Sequence, residues 1–438
     1  MHLLENMFKN YISLFAGDFK HLGDGSEPFS IVSRIWAEIG TATVKANATI
    51  PSSFGRSIPN IAEERVYMTA ESHLVWGTMY APILLRGCFT HDRYYLHWRK
   101  FISIVERCIG FSSNAAERFK LRHDIREWYT EYERMFYQYK TERLPTCVLT
   151  VHAWLHLVDI IEQSGPLWSY WCWVMERFCG KLVRAVSSRK HPYSSLNRRI
   201  LELQLTLHAI RHAYNLGDRI PPSSTMFNSE PPETYHDIDR YEELTLLHPK
   251  RSLSFARDGL NDLRRRIAVH LATVHDVSVA VAMMAIPETI VQWGRARIKD
   301  ADIVHSHVGY PRREENQRNA TFIQYEQQVD RNARWRRREV DMEAWTFFGR
   351  LDRIICCEVL PNQAMGIPEP EPLILLDVKL CNTERDAFGF YEYSTFRYSE
   401  IVDGTCLRAL VGRILDRDKW VFVRRQGAME HAEFIDEE

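Results

Sequence analysis

His152 and His156 stand four residues apart in TVHAWLHLVDIIEQ, with Asp159 three residues further on. If this stretch is helical, the three side chains share one face, and two imidazoles with a carboxylate are a donor set for a divalent metal. The spacing HxxxH lacks the internal glutamate of HExxH, and the alternative is a pair of hydrogen-bonded structural histidines. Glu176 follows among Trp168, Trp171, Trp173, Val174, Met175 and Phe178. A carboxylate desolvated by such neighbours needs a partner: Arg177, Lys181 or a histidine of a facing helix in a structural ion pair, or Mg²⁺ held against phosphate oxygens.

Two basic runs carry a second kind of chemistry. Lys181, Arg184, Arg189, Lys190, Arg198 and Arg199 are interleaved with His191, Tyr193 and Asn197, and Arg331, Arg334, Arg336, Arg337 and Arg338 surround Trp335. Such strips could hold a phosphate backbone without specifying bases. The alternative is a solvated connector. His305 and His307 form a weaker metal pattern in a polar stretch. No Walker loop and no GxSxG nucleophile elbow occur.

The elements that must position these residues follow from periodicity. Apolar spacing predicts a helix from Ile31 to Asn47, a mainly helical stretch over 63–140 with a kink or restart at Pro82, and a helix at Asn114 to Tyr139 packing through Phe119, Trp128, Tyr132 and Phe136. Pro145 precedes a further helix that SGP at 164–166 breaks; Leu167 to Val186 and Asn197 to Tyr214 supply two more periods. After the Pro/Ser-rich DRIPPSSTMFNSEPPETYHD, helix-compatible sequence resumes at 252–295. Beyond Trp345 short aromatic and β-branched segments predict an antiparallel barrel or curled sheet. The fold class expected is a mainly α-helical multidomain body followed by a small β-rich barrel-like C-terminal domain, α+β overall. The divisions are a variable segment (1–30), a helical domain (31–143), a His/Trp-rich helical subdomain containing Glu176 (144–217), a linker (218–250), a helical region with a basic connector (251–343), the β-rich domain (344–428) and an acidic tail (429–438).

The formal net charge of -1 over 438 residues excludes global attraction to polyanions, so nucleic-acid contact must come from a local patch. Nine cysteines form no paired CxxC units, and Cys108, Cys172, Cys179, Cys356 and Cys357 sit in apolar stretches, the pattern of buried thiols in a reducing compartment. No secretory signal pattern and no run of about twenty apolar residues is present, so no membrane partner is expected, and the cytosol or nucleus is the expected location.

TVHAWLHLVDIIEQSGPLWSYWCWVMERFCGKLVRAV, followed by RKHPYSSLNRRI, resembles the downstream half of fungal CACTA-type transposases, including their helical domain. ATVKANATIPSSFGRSIPNI with MTAESHLVWGTMYAPILLRG, and GFYEYSTFRYSEIVDGTCLRALVGRILDRDKWVFVRR near the C-terminus, are similar to further parts of that family, so the resemblance covers about residues 32–425. It implies descent from an RNase-H-like site whose carboxylates hold two divalent metals for DNA cleavage and strand transfer. Its late acidic residue would map onto Glu176, and a signature histidine onto His73, although Glu71 and Ser72 depart from the commoner Asp/Cys-containing approach. The first catalytic aspartates are expected upstream of Met1. The resemblance therefore implies a truncated transposase-derived protein, inactive alone, nuclear, and retaining DNA- or protein-binding surfaces. It needs no cofactor by itself, and Mg or Mn if an upstream transposase region or partner completes an active DDE-type enzyme. A noncatalytic protein-interaction scaffold is the other alternative.

Overall fold

The computed structural model describes residues 2–22, 26–172, 175, 178–180, 182–183, 186, 188, 190–213, 235–236, 238–299, 302–311, 317–332 and 339–425. Its first part is helical: α1 (His2–Ala16), α2 (Ser33–Ala46), α3 (Ala70–Val75), α4 (Ala81–Leu84), α5 (Asp92–Cys108), α6 (Ala115–Tyr132), α7 (Leu149–Ala153) and α8 (Leu157–Ser164). The chain passes Pro82 as expected, by a π-helical turn over Trp76–Tyr80 that ends where α4 restarts. Asn114 caps α6 reciprocally: its side chain accepts from the Glu117 N–H, and the Glu117 carboxylate accepts from the Asn114 N–H, both at 2.9 Å. Gly165, at φ +85°, terminates α8 where SGP predicts a break.

An aromatic core holds these helices together. Phe8, Tyr11 and Phe15 of α1 meet Trp98 and Phe101 of α5, Trp128 and Tyr132 of α6, and Phe136, while Trp154 packs on Phe101 and Trp128. Tyr11 satisfies two buried polar groups at once: its hydroxyl accepts from Trp128 Nε1 at 2.9 Å and bonds His97 Nε2 at 3.0 Å. Gly77 is needed where the π-turn crosses α1, because a Cβ there would lie 2.2 Å from the Phe8 ring. Phe119, expected in this core, is 75% exposed. The buried stripe of α6 runs Leu121, Ile125, Trp128 and Tyr132, and Phe119 lies two residues off it.

The second part is built on an all-antiparallel sheet of eleven strands: β1 (Tyr235–His236), β2 (Leu244–Ser254), β3 (Thr289–Ile298), β4 (Asp302–His305), β5 (Phe322–Asp330), β6 (Met342–Val359), β7 (Glu371–Arg385), β8 (Tyr391–Asp403), β9 (Leu407–Leu410), β10 (Gly412–Asp416) and β11 (Lys419–Val423). The order β1-β2-β3-β6-β7-β8-β11-β10 carries β4 on β3, and β5 lies between β6 and β9. Its far end curls into a half-barrel. There β9 pairs with β5 and passes through Val411 alone into β10, the Val411 N–H donating to the Phe322 carbonyl.

The sheet therefore begins about a hundred residues before the expected β-rich domain, and β2 to β5 occupy much of the segments read as linker and helical region. Only Asn261–Val274 and Val279–Met284 are α-helical there among the described residues. In β2, LTLLHPKRSLS, Leu246 and Leu247 are buried side by side and Pro249 to Ser252 are exposed, so the alternation of a strand is lost; β7, PLILLDVKLCN, lies where a strand is expected and is covered on both faces. Ile374, Leu376, Val378 and Leu380 pack on the helical part. On the opposite face Leu373 and Leu375 pack under the helix Asn261–Val274, and Cys381 joins Phe322, Phe348, Tyr393 and Phe422 inside the curl. Arg86 ties the two parts together, reaching Asp386, Glu392 at 3.3 Å and Asp416 at 2.7 Å. Of the thiols expected to be buried, Cys108 and Cys357 are, Cys356 is half-buried, and Cys172 and Cys179 are exposed. No described helix is long and apolar enough to cross a membrane.

Candidate nucleic-acid interface

Lys379, Cys381, Thr383 and Arg385 follow one another on one face of β7, so the inner face of the curl runs from apolar to cationic at both ends. At one end Arg350 and Lys379 sit over the Phe396 ring, at 5.6 and 5.1 Å. In the middle Arg413 is buried, its guanidinium 3.4 Å from the Phe322 ring centre and 4.6 Å from that of Trp420, with Nη1 donating to the Tyr393 hydroxyl at 2.5 Å. At the other end Arg385 and Arg424 flank Tyr391, at 5.7 and 5.5 Å.

This second end opens into a cleft of about 250 Å³ between the half-barrel and the helical part, lined by Arg99, Ser103 and Glu106 of α5 and by Phe388, Phe390 and Arg424. Arg99, Ser103 and Glu106 lie at i, i+4 and i+7 on one face of α5. The opposite wall is the loop DAFGF, which its own sequence folds: the Asp386 carboxylate accepts from the N–H groups of Phe388 and Phe390, at 2.9 and 2.7 Å, and Gly389 takes φ +89°. Asp386 is also the partner of Arg86, so the same carboxylate shapes the wall and ties it to the helices.

The electrostatics of the cleft are uneven. Arg99 lies 4.8 Å over the Phe390 ring and donates to the Tyr95 hydroxyl at 3.3 Å. Burial, with Arg385 nearby, works against the charge of Arg424. Among the described residues neither guanidinium has a carboxylate within ion-pair distance, and the same holds for Lys379, Arg385 and Arg413. Glu106 has no hydrogen bond or ion pair among them either; burial raises its pKa, and the charge of Arg99 partly offsets this. Half-buried cations without counter-charges gain from an arriving anion, and guanidinium-on-aromatic surfaces suit flat rings carrying phosphate.

Among the described residues, those singled out by sequence lie elsewhere. His73 is 2% exposed; its Nδ1 lies 2.8 Å from the Thr69 carbonyl and so carries the proton, and burial lowers its pKa. This places it in helix packing. His152 and His156 do meet, Nε2 to Nε2 at 3.2 Å on the surface, but Asp159 turns to Arg122 at 2.5 Å, and Glu162 takes the same arginine at 2.9 Å. His152 lines a second cleft, of about 400 Å³, with Glu133 and Cys147, whose thiol is raised by burial. The described side chains include no cluster of three histidine, cysteine or acidic groups arranged to hold a metal. Glu176, Lys181, Arg184, Arg189, Arg334, Arg336, Arg337 and Arg338 lie outside the described residues. Of the other basic positions, Lys190 is exposed, Arg198 and Arg199 pair with Glu202, and Arg331 pairs with Asp341 and Glu343.

The cleft residues were missed because they are far apart in sequence and no short motif joins them. The available signal was the polar trio Arg99, Ser103 and Glu106 at helical spacing in RKFISIVE of α5, where Phe101, Ile102, Ile104 and Val105 are apolar. No family model matches the chain, and comparisons with curated proteins and with solved structures gave no match.

Proposed function

We propose that this chain is a transposase-derived body that binds nucleic acid in the nucleus, with single strands seated on the guanidinium and aromatic groups of the half-barrel and its cleft. Descent is carried by the sequence resemblance. The binding surface is carried by one observation: Arg385, Arg424 and Arg99 lie against Tyr391 and Phe390 with no carboxylate partner among the described residues. Strand cleavage, in this reading, requires carboxylates and Mg or Mn supplied together with another transposase region or polypeptide.

The test is binding of a fluorescent oligo-dT as a function of salt. Each phosphate neutralised contributes about 0.7 to the slope of log affinity against log salt for a single strand. Arg424→Ala and Arg385→Ala should each lower the affinity and reduce that slope by about 0.7. Arg198→Ala, which removes a cation already paired with Glu202, should change it least. Equal slopes in all three variants would overturn the assignment of this surface.

A protein-interaction scaffold has its own observation, the helix Pro192–Ala213, on which Leu201, Leu203 and Leu205 are 57, 49 and 60% exposed. Loss of self-association or partner capture in a triple Leu→Ser variant, with oligonucleotide binding intact, would favour it.

A further inference from the structure

Glu106 is out of place in a surface built for phosphate. A carboxylate repels the backbone, yet this one lies in the same cleft as two unpaired guanidiniums, is half-buried, and has no hydrogen bond or ion pair among the described residues. Such a group accepts hydrogen bonds only, and leaving it unmade costs free energy. Its natural complement is a neutral ring with two adjacent N–H donors.

The geometry points to guanine as the base this cleft selects, an inference that rests on the single-strand reading above. Guanine presents N1–H and the N2 amino group side by side, matching the two oxygens of one carboxylate, while its O6 and N7 acceptors suit a guanidinium such as Arg99. Cytosine and adenine offer one amino group on that edge, and thymine a single N–H. Phe388 and Phe390 supply the faces on which a ring entering the cleft would stack, and the space of about 250 Å³ admits a base rather than a folded strand. Arg424 and Arg385, beside Tyr391 at the edge of the half-barrel, are left to hold the flanking phosphates. The cleft would thus confer a one-base preference that the basic runs do not supply.

The experiment uses the full chain and oligo-dT strands of one length in which a central residue is dT, dG, dA, dC or deoxyinosine. The dG strand should bind about tenfold more tightly than dT, the scale of one bidentate base contact. Inosine, which keeps N1–H and O6 but lacks the amino group, should fall between them. Glu106→Gln should erase the advantage of dG over dT, because the amide keeps the shape of the side chain and loses an acceptor, while the loss of the negative charge strengthens all the strands alike. If every strand binds with the same salt-sensitive affinity, the guanine inference fails and the binding surface stands. If no strand binds, both fail together. Should Glu106→Gln not fold, the dG against inosine comparison on the unaltered chain decides the question by itself.

Discussion

Among single residues, the buried histidines set how the fold responds to acid. Burial lowers His73, His97 and His270 below the ordinary value, and lowers His305 to about 4, with Arg295 adding to the effect. In the unfolded chain they titrate near about 6.5. Between those values the unfolded state binds more protons, so this contribution to stability is complete above about 6.5 and is lost as pH falls toward the folded value. Glu106 and Glu400, both raised by burial, act in the opposite sense near the carboxylate range, so the histidine share must be read by difference. His305 is the best handle, since its ring packs 4.7 Å from Tyr310 and it has no ion pair among the described residues. The urea midpoint should drop between pH 7 and pH about 4.5, and His305→Phe should make that drop shallower. An unchanged pH profile in the variant would show that His305 is not the group being protonated.

At the scale of elements, the helices and the strands beyond Trp345 were legible in sequence, where a curled antiparallel sheet is expected and found, and β1 to β5 were not. Helices with one wet face declare themselves: Asn114, Glu117 and the buried stripe of α6 are all visible in NAAERFKLRHDIREWYTEY, and only the placement of Phe119 on that stripe was in error. Asn114→Ala should remove the cap from α6 and cost about 1 kcal/mol, seen as a lower melting temperature with helix content otherwise retained. Strand β2 was hidden because Leu246 and Leu247 are both buried and, past a bulge, Pro249 to Ser252 are all exposed, so the alternation that marks a strand is lost. The cleft was hidden for a different reason. Its walls come from α5 and from the Asp386 loop, nearly three hundred residues apart, and only the fold brings them together. The histidine pair was legible as a contact, since His152 and His156 do touch, but the sequence did not show that Arg122 would claim Asp159.

For the whole molecule, one apolar core runs without a break from α1 to β11, so the helical part and the sheet share buried surface rather than meeting across a polar seam. Two consequences follow for unfolding. The sheet face carrying Ile374, Leu376, Val378 and Leu380 has no cover without the helices, and unfolding should occur in one transition, with helical dichroism and aromatic near-ultraviolet signals changing together. Within that shared core one polar tie is a charged cluster around Arg86, whose side chain is 13% exposed and faces Asp386, Glu392 and Asp416 at 10 or 11%. Burial works against its charge, but the hydrogen bonds it donates to Asp416 and Asp386 outweigh this and raise its pKa, so the guanidinium is held as a cation among three carboxylates, and Lys419 supplies a second positive charge on Glu392. Arg86→Met keeps the bulk and removes the charge, leaving carboxylates that must find new partners, protonate or draw in water. The expected cost is about 3–5 kcal/mol, read as a fall in the urea midpoint. Asp416→Asn, which leaves Arg86 two acids, should cost less. Because Asp386 also folds the wall of the cleft, Arg86→Met should weaken oligonucleotide binding at temperatures where the protein remains folded. A midpoint that does not move, with coincident transitions retained, would mean that the Arg86 cluster does not help join the two parts and only sets the position of the Asp386 loop.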